Sequence, residues 1–252
     1  MPLLDEVIEA HGGEDAWSRA GRIRLRARSG GLLLRTRAPG NRLADVRIEA
    51  AIGERRATAR PFPAPGRVGI YEGGGVRIES DAGEVLESRS DPRALFFGRP
   101  GLRRNFRWDA LDLVYFAGYA WWNYLNHPWL LTAPGCLVAE GEWRRHGAAG
   151  WRRLDVTFPP GIDTHSRHQT FYYDDDLRLR RHDYVAEVVG RWARAAHLCD
   201  RHRRVGGLLL ATRRRVHPIG PGGRPLPAPT LVGLDLDEIE VVPRDGTAAP
   251  PG

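Results

Sequence analysis

Hydrophobic and polar residues alternate along most of this chain, as they do in β-strands that bury one face. In segment 22–28, Ile23, Leu25 and Ala27 would share one face and four arginines would occupy the other. Turns rich in glycine or proline separate the runs. The predicted strands of the first half are 22–28, 32–37, 44–52, 55–62, 67–71, 76–79 and 84–88. Those of the second half are 137–145, 151–158, 167–173, 177–188, 193–203, 208–217 and 230–242.

In two segments the apolar residues have the spacing of an α-helix instead. Segment 3–10 carries apolar residues at helical spacing and ends at His11-Gly12-Gly13, which predicts a short N-terminal helix with a glycine stop. Segment 108–135 also has helical spacing and is crowded with aromatic residues. Phe116, Trp121 and Tyr124 fall outside its main apolar stripe, so both faces of this helix are aromatic. Such a helix is expected to be covered on both sides.

These elements predict a mainly β (α+β) fold. Closely spaced strands favour a strongly curved antiparallel sheet or an incomplete β barrel. The short N-terminal helix and the central aromatic helices would cover the concave side. No linker divides the chain, so we expect one domain over 1–242 and a loose C-terminal tail over 243–252.

Composition narrows the functional classes. The 252-residue chain has a formal net charge of +7, but all 38 basic residues are arginines spread along nearly every segment. No nucleic-acid-binding motif accompanies the charge, so no nucleic-acid partner is predicted. No stretch reaches the roughly 18 apolar residues of a spanning helix, so no transmembrane segment is expected. A secretory signal has a basic start followed by an apolar centre, whereas Asp5 and Glu6 place acidic residues there. This favours a cytoplasmic location.

The second half contains histidines that could carry chemistry. If the turn after segment 167–173 centres on Asp175, His168 lies opposite His182, and the next strand brings His197 alongside. Tyr184 shares a face with His182, whereas Asp183 points the other way. We therefore consider His168, His182, Tyr184 and His197 as candidate acid/base residues.

Three histidines on neighbouring strands could also bind a metal ion. Their spacing matches no known metal signature, so neither a metal nor another cofactor is predicted. Cys136 and Cys199 are too few and too far apart for a disulfide scaffold, and we expect buried free thiols. No G-x-S-x-G elbow accompanies His11-Gly12-Gly13, and no Gly-Lys-Ser/Thr follows Gly73-Gly74-Gly75.

Four segments together resemble the lipoprotein-carrier superfamily of LolA and LppX type. They are EAHGGEDAW (9–17), FAGYAWWNYL (116–125), QTFYYDDDLRLRRHDYVAEVVG (169–190) and VGGLLLATRRRVHP (205–218). The resemblance implies an incomplete β barrel whose helices plug the concave side, around a cavity for acyl chains. Carriers of this kind work in the cell envelope.

The favoured function is binding of a hydrophobic small molecule or lipid-like chain in an apolar cavity of roughly 300 to 1,000 Å³ between sheet and helix. The expected ligand-binding residues are Tyr115, Phe116, Tyr119, Trp122, Trp129 and Tyr172. The alternative is a cofactor-independent or metal-assisted enzyme of secondary metabolism, such as a cyclase, isomerase or hydrolase, with inward His and Tyr as acid and base. A third possibility is an interaction protein whose aromatic helix docks on a partner. The oligomeric state is not predicted.

Overall fold

The strands of the chain form one antiparallel sheet. The computed structural model describes residues 2–146 and 149–244, which contain thirteen strands in the order β6-β5-β4-β3-β2-β1-β13-β12-β11-β10-β9-β8-β7. The strands are β1 Ala20–Gly30, β2 Val46–Ala51, β3 Arg56–Arg60, β4 Arg67–Glu72, β5 Gly75–Ser80, β6 Val85–Arg89, β7 Leu137–His146, β8 Ala149–Thr157, β9 His168–Tyr173, β10 Leu179–Val185, β11 Arg194–Val205, β12 Leu208–Pro218 and β13 Val232–Pro243. The sheet is open, because β6 and β7 form its two edges.

Pairing of β1 with β13 joins the two halves of the sheet at its centre. We call β1–β6 the N-terminal half-sheet and β7–β13 the C-terminal half-sheet. The predicted alternation in β1 is confirmed, because Ile23, Leu25 and Ala27 are buried. The arginines between them face outward, where Arg24 bonds Glu49 at 2.7 Å. Mainly antiparallel architecture and an open, curved sheet are therefore as the sequence predicted.

The helices are α1 Leu3–Ala10, α2 Gly13–Arg19, α3 Leu32–Arg37, α4 Gly98–Arg104 and α5 Ala110–Leu125, with short 3-10 turns at Ala94–Phe96, Trp129–Thr132 and Pro221–Gly223. Helix α5 is the predicted aromatic helix. Asp109 caps it and forms a capping box with Asp112, so the start of α5 is fixed by two reciprocal hydrogen bonds. No helix within the described residues is long and apolar enough to cross a membrane.

One predicted strand is wrong. Residues Leu32–Arg37 form α3, which turns the chain between β1 and β2. Gly31 precedes it at φ 115°, and a Cβ there would lie 2.4 Å from the carbonyl oxygen of Leu231. This close crossing needs glycine and diverts the chain from the sheet. The three leucines 32–34 fit a short strand or a helix turn equally well, which explains the error.

The predicted register of the β9–β10 hairpin is also wrong. His182 pairs with Phe171, and a register shift lies between Leu179 and Arg181. Leu179 pairs with Tyr173, so the turn is centred on Asp176 and not on Asp175, and Leu177 adopts a positive φ of 58° in it. His168 instead lies opposite Thr157 of β8.

Part of the predicted loose tail can be placed. Pro243 is the last residue of β13, and the Arg244 amide donates a 2.7 Å hydrogen bond to the Arg19 carbonyl oxygen. At 243–244 the chain is therefore still bonded to the sheet region. Residues 245–252 lie outside the described part of the chain, and their looseness stays a prediction.

Candidate ligand site beside the aromatic helix

Helix α5 packs tightly against the N-terminal half-sheet. Its backbone lies closest to β2–β6. A Cβ added at Gly118 would lie 2.3 Å from Cβ of Tyr71, and one added at Gly69 would lie 2.4 Å from Val114. Helix and strand therefore approach as closely as glycine allows, and this side of the helix is a close-packed core.

The opposite side of α5 faces the C-terminal half-sheet through long side chains, and three small spaces lie there. The largest, about 40 Å³, is lined by Phe116, Trp121 and Tyr124 of the helix and by residues that include Val216 and Leu234 of the sheet. The second measures about 20 Å³ and the third about 10 Å³. Tyr124 lines all three spaces, so they meet at this residue.

These three spaces are far smaller than the single cavity of roughly 300 to 1,000 Å³ expected from the sequence. The aromatic side chains of α5 fill the concave side, and almost every residue of the helix is buried. Both faces of the helix are aromatic, as predicted, and the second face occupies volume that a ligand would otherwise take. The three spaces can hold at most a few water molecules, so a chain-like ligand must displace protein side chains from this interface.

His165 is hydrogen-bonded between two tyrosines of α5. Its Nδ1 lies 3.1 Å from the hydroxyl of Tyr119, and its Nε2 lies 2.7 Å from the hydroxyl of Tyr124. Its ring also stacks on Tyr184, with ring centroids 4.0 Å apart. A neutral imidazole satisfies this geometry, because one nitrogen donates to a phenol oxygen and the other accepts from a phenol hydroxyl.

Burial keeps this network uncharged. It lowers the pKa of His165 to about 3, with Arg93 adding to the effect, and it raises the pKa of Tyr119, Tyr124 and Tyr184 above the usual range. An acid or base is most effective when its pKa lies near the working pH. These groups are therefore suited to positioning by hydrogen bonds more than to proton transfer at neutral pH.

Two of the predicted histidines meet on the inner face of the sheet. His182 of β10 pairs directly with His197 of β11, and their ring centroids lie 5.9 Å apart. His182 Nε2 bonds the side-chain oxygen of Gln169 at 2.5 Å and its ring stacks on Phe171. Both ring nitrogens of His197 are buried without a hydrogen-bond partner among the described residues. Burial is the largest cause lowering the pKa of each histidine well below 6.5.

His168 is not part of this group. It is exposed, and its Nδ1 lies 3.0 Å from the hydroxyl of Thr157 on the outer face of the sheet. His165, in the loop before β9, lies beside His182 and Tyr184, where His168 was predicted. Tyr184 does lie inside with His182, with ring centroids 4.8 Å apart. Catalytic roles for His168, His182, Tyr184 and His197 stay predictions.

Of the six predicted ligand-binding residues, five lie in the core and one does not. Tyr115, Phe116, Tyr119 and Trp122 are buried on α5, and Trp129 stacks on Trp17 with ring centroids 4.3 Å apart. Phe116 alone of the six lines the 40 Å³ space. Tyr172 lies on the outer face, beneath the guanidinium of Arg181 at 5.3 Å. Alternation puts Phe171 and Tyr173 inside. Ligand-binding roles for all six residues stay predictions.

Hydrogen bonds from β4, α5 and Arg93 hold the loop 158–167 in place. Asp163 accepts hydrogen bonds from Tyr71 at 2.9 Å and from Tyr115 at 2.8 Å. Arg93 donates to the carbonyl oxygen of Thr164 at 2.9 Å and pairs with Glu187 at 2.6 Å. These bonds hold the loop that carries His165 against the helix, which fixes the imidazole between its two tyrosines.

Arg214 of β12 was missed by the sequence analysis. It faces inward and is buried, and its guanidinium carbon lies 4.7 Å from the centre of the Tyr124 ring. The signal was present, because Leu208, Leu210, Thr212, Arg214 and Val216 follow the strand alternation. Tyr124 was not predicted as a site residue because it falls outside the main apolar stripe of the helix. His165 was not predicted because it lies in a loop, outside the strand pattern.

The described residues contain no group of three or more His, Cys, Asp or Glu placed to hold a metal ion. A large open groove of about 1,310 Å³ lies elsewhere, on the outer face of the C-terminal half-sheet. Trp151, Tyr172, Arg153, Arg181 and Asp183 line it. Its lining combines charged residues with apolar ones such as Leu137 and Val138, whereas none of the described residues that line the 40 Å³ space beside α5 is charged.

Comparison with solved structures identifies the architecture. A LolA superfamily protein from Nitrosomonas europaea superimposes with a TM-score of 0.50 at 12% identity, covering 95% of this chain and 92% of that one. The chain has a LolA-like fold. A DUF1329 family protein from Desulfovibrio piger shares this LolA-like fold with a TM-score of 0.51 at 12% identity, over 98% of this chain and 93% of its own.

A domain proposed to be an outer membrane lipoprotein-sorting protein, from Vibrio parahaemolyticus, has a TM-score of 0.51 at 9% identity, over 98% of this chain and 92% of that one. No family model and no curated protein matches the sequence. The resemblance noted in the sequence is thus confirmed at the level of the LolA-like fold.

Proposed function

We propose that this protein binds an apolar, chain-like small molecule between helix α5 and the C-terminal half-sheet. The observation that carries the proposal is the meeting of three spaces at one side chain, Tyr124. Rotation of that ring would join them into one channel. The bound molecule would occupy the volume that the aromatic side chains fill when it is absent.

The lining of the largest space supports an apolar ligand. Its lining includes Leu34, Phe116, Tyr184, Val216 and Leu234. Apolar surface removed from water stabilises a complex by about 25 cal/mol per Å², so a long hydrocarbon chain could offset the cost of moving Tyr124. The opposite side of α5 offers no comparable route, because Gly118 and Tyr71 are already in close contact.

The LolA-like fold supports the same proposal. One structural neighbour is proposed to sort outer membrane lipoproteins, and an apolar ligand would suit that role. The identity of this chain's ligand is not set by that likeness. The cytoplasmic location and the link to secondary metabolism stay predictions from the sequence.

Binding of diphenylhexatriene, an apolar rod that fluoresces in apolar surroundings, tests the proposal. We expect saturable binding by the wild-type protein. Tyr124→Ala should bind about tenfold more tightly, a gain of about 1.4 kcal/mol, because the dye no longer has to displace the ring. Tyr124→Phe should stay within about threefold of wild type, because the ring is kept.

Tyr172→Ala is the matched control, because Tyr172 is a buried tyrosine on the outer face of the sheet. Its affinity should equal that of wild type. The proposal is wrong if neither wild type nor Tyr124→Ala binds the dye saturably. It is equally wrong if Tyr172→Ala changes the affinity as much as Tyr124→Ala does.

A further inference from the structure

Three arginines of the described residues are buried, and two of them have a carboxylate partner. Arg104 Nε lies 2.6 Å from Asp112, and Arg181 Nε lies 2.6 Å from Asp183. Arg214 is as deeply buried as these, with a relative exposure of 4%. Within the described residues, no ion pair engages it. This difference separates Arg214 from the arginines that only stabilise the fold.

The contacts that Arg214 does make leave most of its donors free. Nη1 points at the thiol of Cys199 at 3.3 Å, and Nη2 reaches the carbonyl oxygen of Tyr124 at 3.5 Å. Nε is buried without a partner among the described residues. A guanidinium has five N–H donors in a fork that matches a carboxylate, and here at least three are unused.

The thiol of Cys199 and the ring of Tyr124, which Arg214 contacts, are uncharged. His127, His182 and His197 lie in this region, and burial together with the Arg214 charge lowers the pKa of each well below its usual value. Burial raises the pKa of the Cys199 thiol, so that group stays protonated. A buried charge without a counter-charge is expensive, and an anion placed beside it would recover that cost.

Arg214 also lies at the proposed site. Arg214 lines the 20 Å³ and the 10 Å³ spaces. Its guanidinium covers the ring of Tyr124, the residue that these two spaces share with the apolar 40 Å³ space. A cationic end and an apolar end are therefore joined through one side chain.

We propose that the ligand is a long-chain carboxylic acid whose carboxylate pairs with Arg214 while its hydrocarbon chain enters the space lined by Phe116, Val216 and Leu234. This inference rests on the proposed function. Nε and Nη2 of Arg214 would donate to the two carboxylate oxygens, in the bidentate arrangement that arginine favours. His197, whose two ring nitrogens have no partner among the described residues and whose ring centroid lies 4.8 Å from that of Tyr124, would supply a further neutral donor.

The test is competition against bound diphenylhexatriene by hexadecanoic acid and by hexadecanol, which share one chain and differ in head group. Wild type should bind the acid at least about tenfold more tightly than the alcohol, or about 1.4 kcal/mol. Arg214→Met, which keeps the length and removes the charge, should bind both equally, with the alcohol affinity unchanged. Arg214→Gln should behave in the same way and serves if the methionine variant folds poorly.

Arg215→Met is the matched control, because Arg215 is the next residue on β12 and pairs with Asp235 on the outer face at 2.8 Å. It should keep the preference for the acid. Equal binding of acid and alcohol by wild type overturns the inference and leaves the proposed function standing, as does a preference that survives in both Arg214 variants. Failure of wild type to bind dye, acid and alcohol overturns both proposals.

Discussion

The two sides of helix α5 differ in how closely their side chains are packed. Towards the N-terminal half-sheet, Gly118 meets Tyr71 with no room for a methyl group. Towards the C-terminal half-sheet, tyrosines, histidines and Arg214 meet across small spaces, and several buried nitrogens have no partner among the described residues. The first side has the properties of a core, whereas the second has those of a site that something else can enter.

The largest difference between the two sides should appear in acid. Burial lowers the pKa of His11 to about 4 and that of His165 to about 3, whereas both would titrate near 6.5 in the unfolded chain. The unfolded state therefore binds more protons as the pH falls below 6.5, so stability is lost on acidification and is complete above that pH. From pH 7 to pH 5, these two histidines alone should lower the free energy of unfolding by about 4 kcal/mol.

Urea unfolding at a series of pH values measures this loss. His165→Gln should reduce the slope of stability against pH below 6.5. His168→Asn is the matched control, since His168 is exposed and outside the group, and it should leave the slope as it is in wild type. A flat profile in wild type between pH 7 and pH 5 would contradict the burial of uncharged histidines on this side of α5.

Gly118→Ala tests the tight side. The new methyl group would lie 2.3 Å from Cβ of Tyr71, so helix or strand must shift. Alanine favours a helix over glycine by about 1 kcal/mol, but the overlap should outweigh this gain. We expect a net loss of about 2 to 3 kcal/mol in the free energy of unfolding. Equal or higher stability in urea would show that this interface is loose as well.

Asp163→Asn tests the fastening between the loop that carries His165 and the helix. Asp163 accepts from both Tyr71 and Tyr115, one with each carboxylate oxygen. An amide has one acceptor oxygen, so one tyrosine hydroxyl would have to accept from the amide NH2 instead, and both hydrogen bonds would lose the carboxylate charge, at a cost of about 1 to 2 kcal/mol. Thermal unfolding should show the loss. A stability equal to wild type would mean that these two hydrogen bonds do not hold the loop.

The smallest effect is expected for Ala120→Val on the site side. Ala120 lines the 40 Å³ space, which can accept part of the added volume. The cost of overpacking and the gain from filling should nearly cancel, leaving stability within about 1 kcal/mol of wild type. Urea unfolding beside Gly118→Ala compares the two sides directly. A loss as large as that of Gly118→Ala would contradict the difference between them.

Much of the fold could be predicted from alternation, and the failures have local causes. The strands around Ile23, Leu25 and Ala27 and the aromatic helix followed from periodicity alone. Helix α3 could not be separated from a strand, because Gly31 and its crossing with Leu231 are tertiary features. The β9–β10 register depended on the positive φ of Leu177, which no pattern of residue types reveals.

The site was harder to predict than the fold. Periodicity indicated that His182 and Tyr184 share a face and that His197 lies on the neighbouring strand, and the structure buries all three. It could not show that His165, from a loop, completes the group or that the aromatic helix fills most of the hollow. Arg214 stood among three consecutive arginines, and only the strand pairing shows that the middle one faces inward.

Photo-crosslinking tests the central claim most directly. A long-chain alcohol that carries a diazirine near its terminal carbon would be bound, irradiated and mapped by mass spectrometry of peptides. The account predicts crosslinks on the site side of α5, at Phe116 or Tyr124, and on β12 or β13, at Val216 or Leu234. Crosslinks confined to the outer groove, at Trp151 or Tyr172, would contradict it.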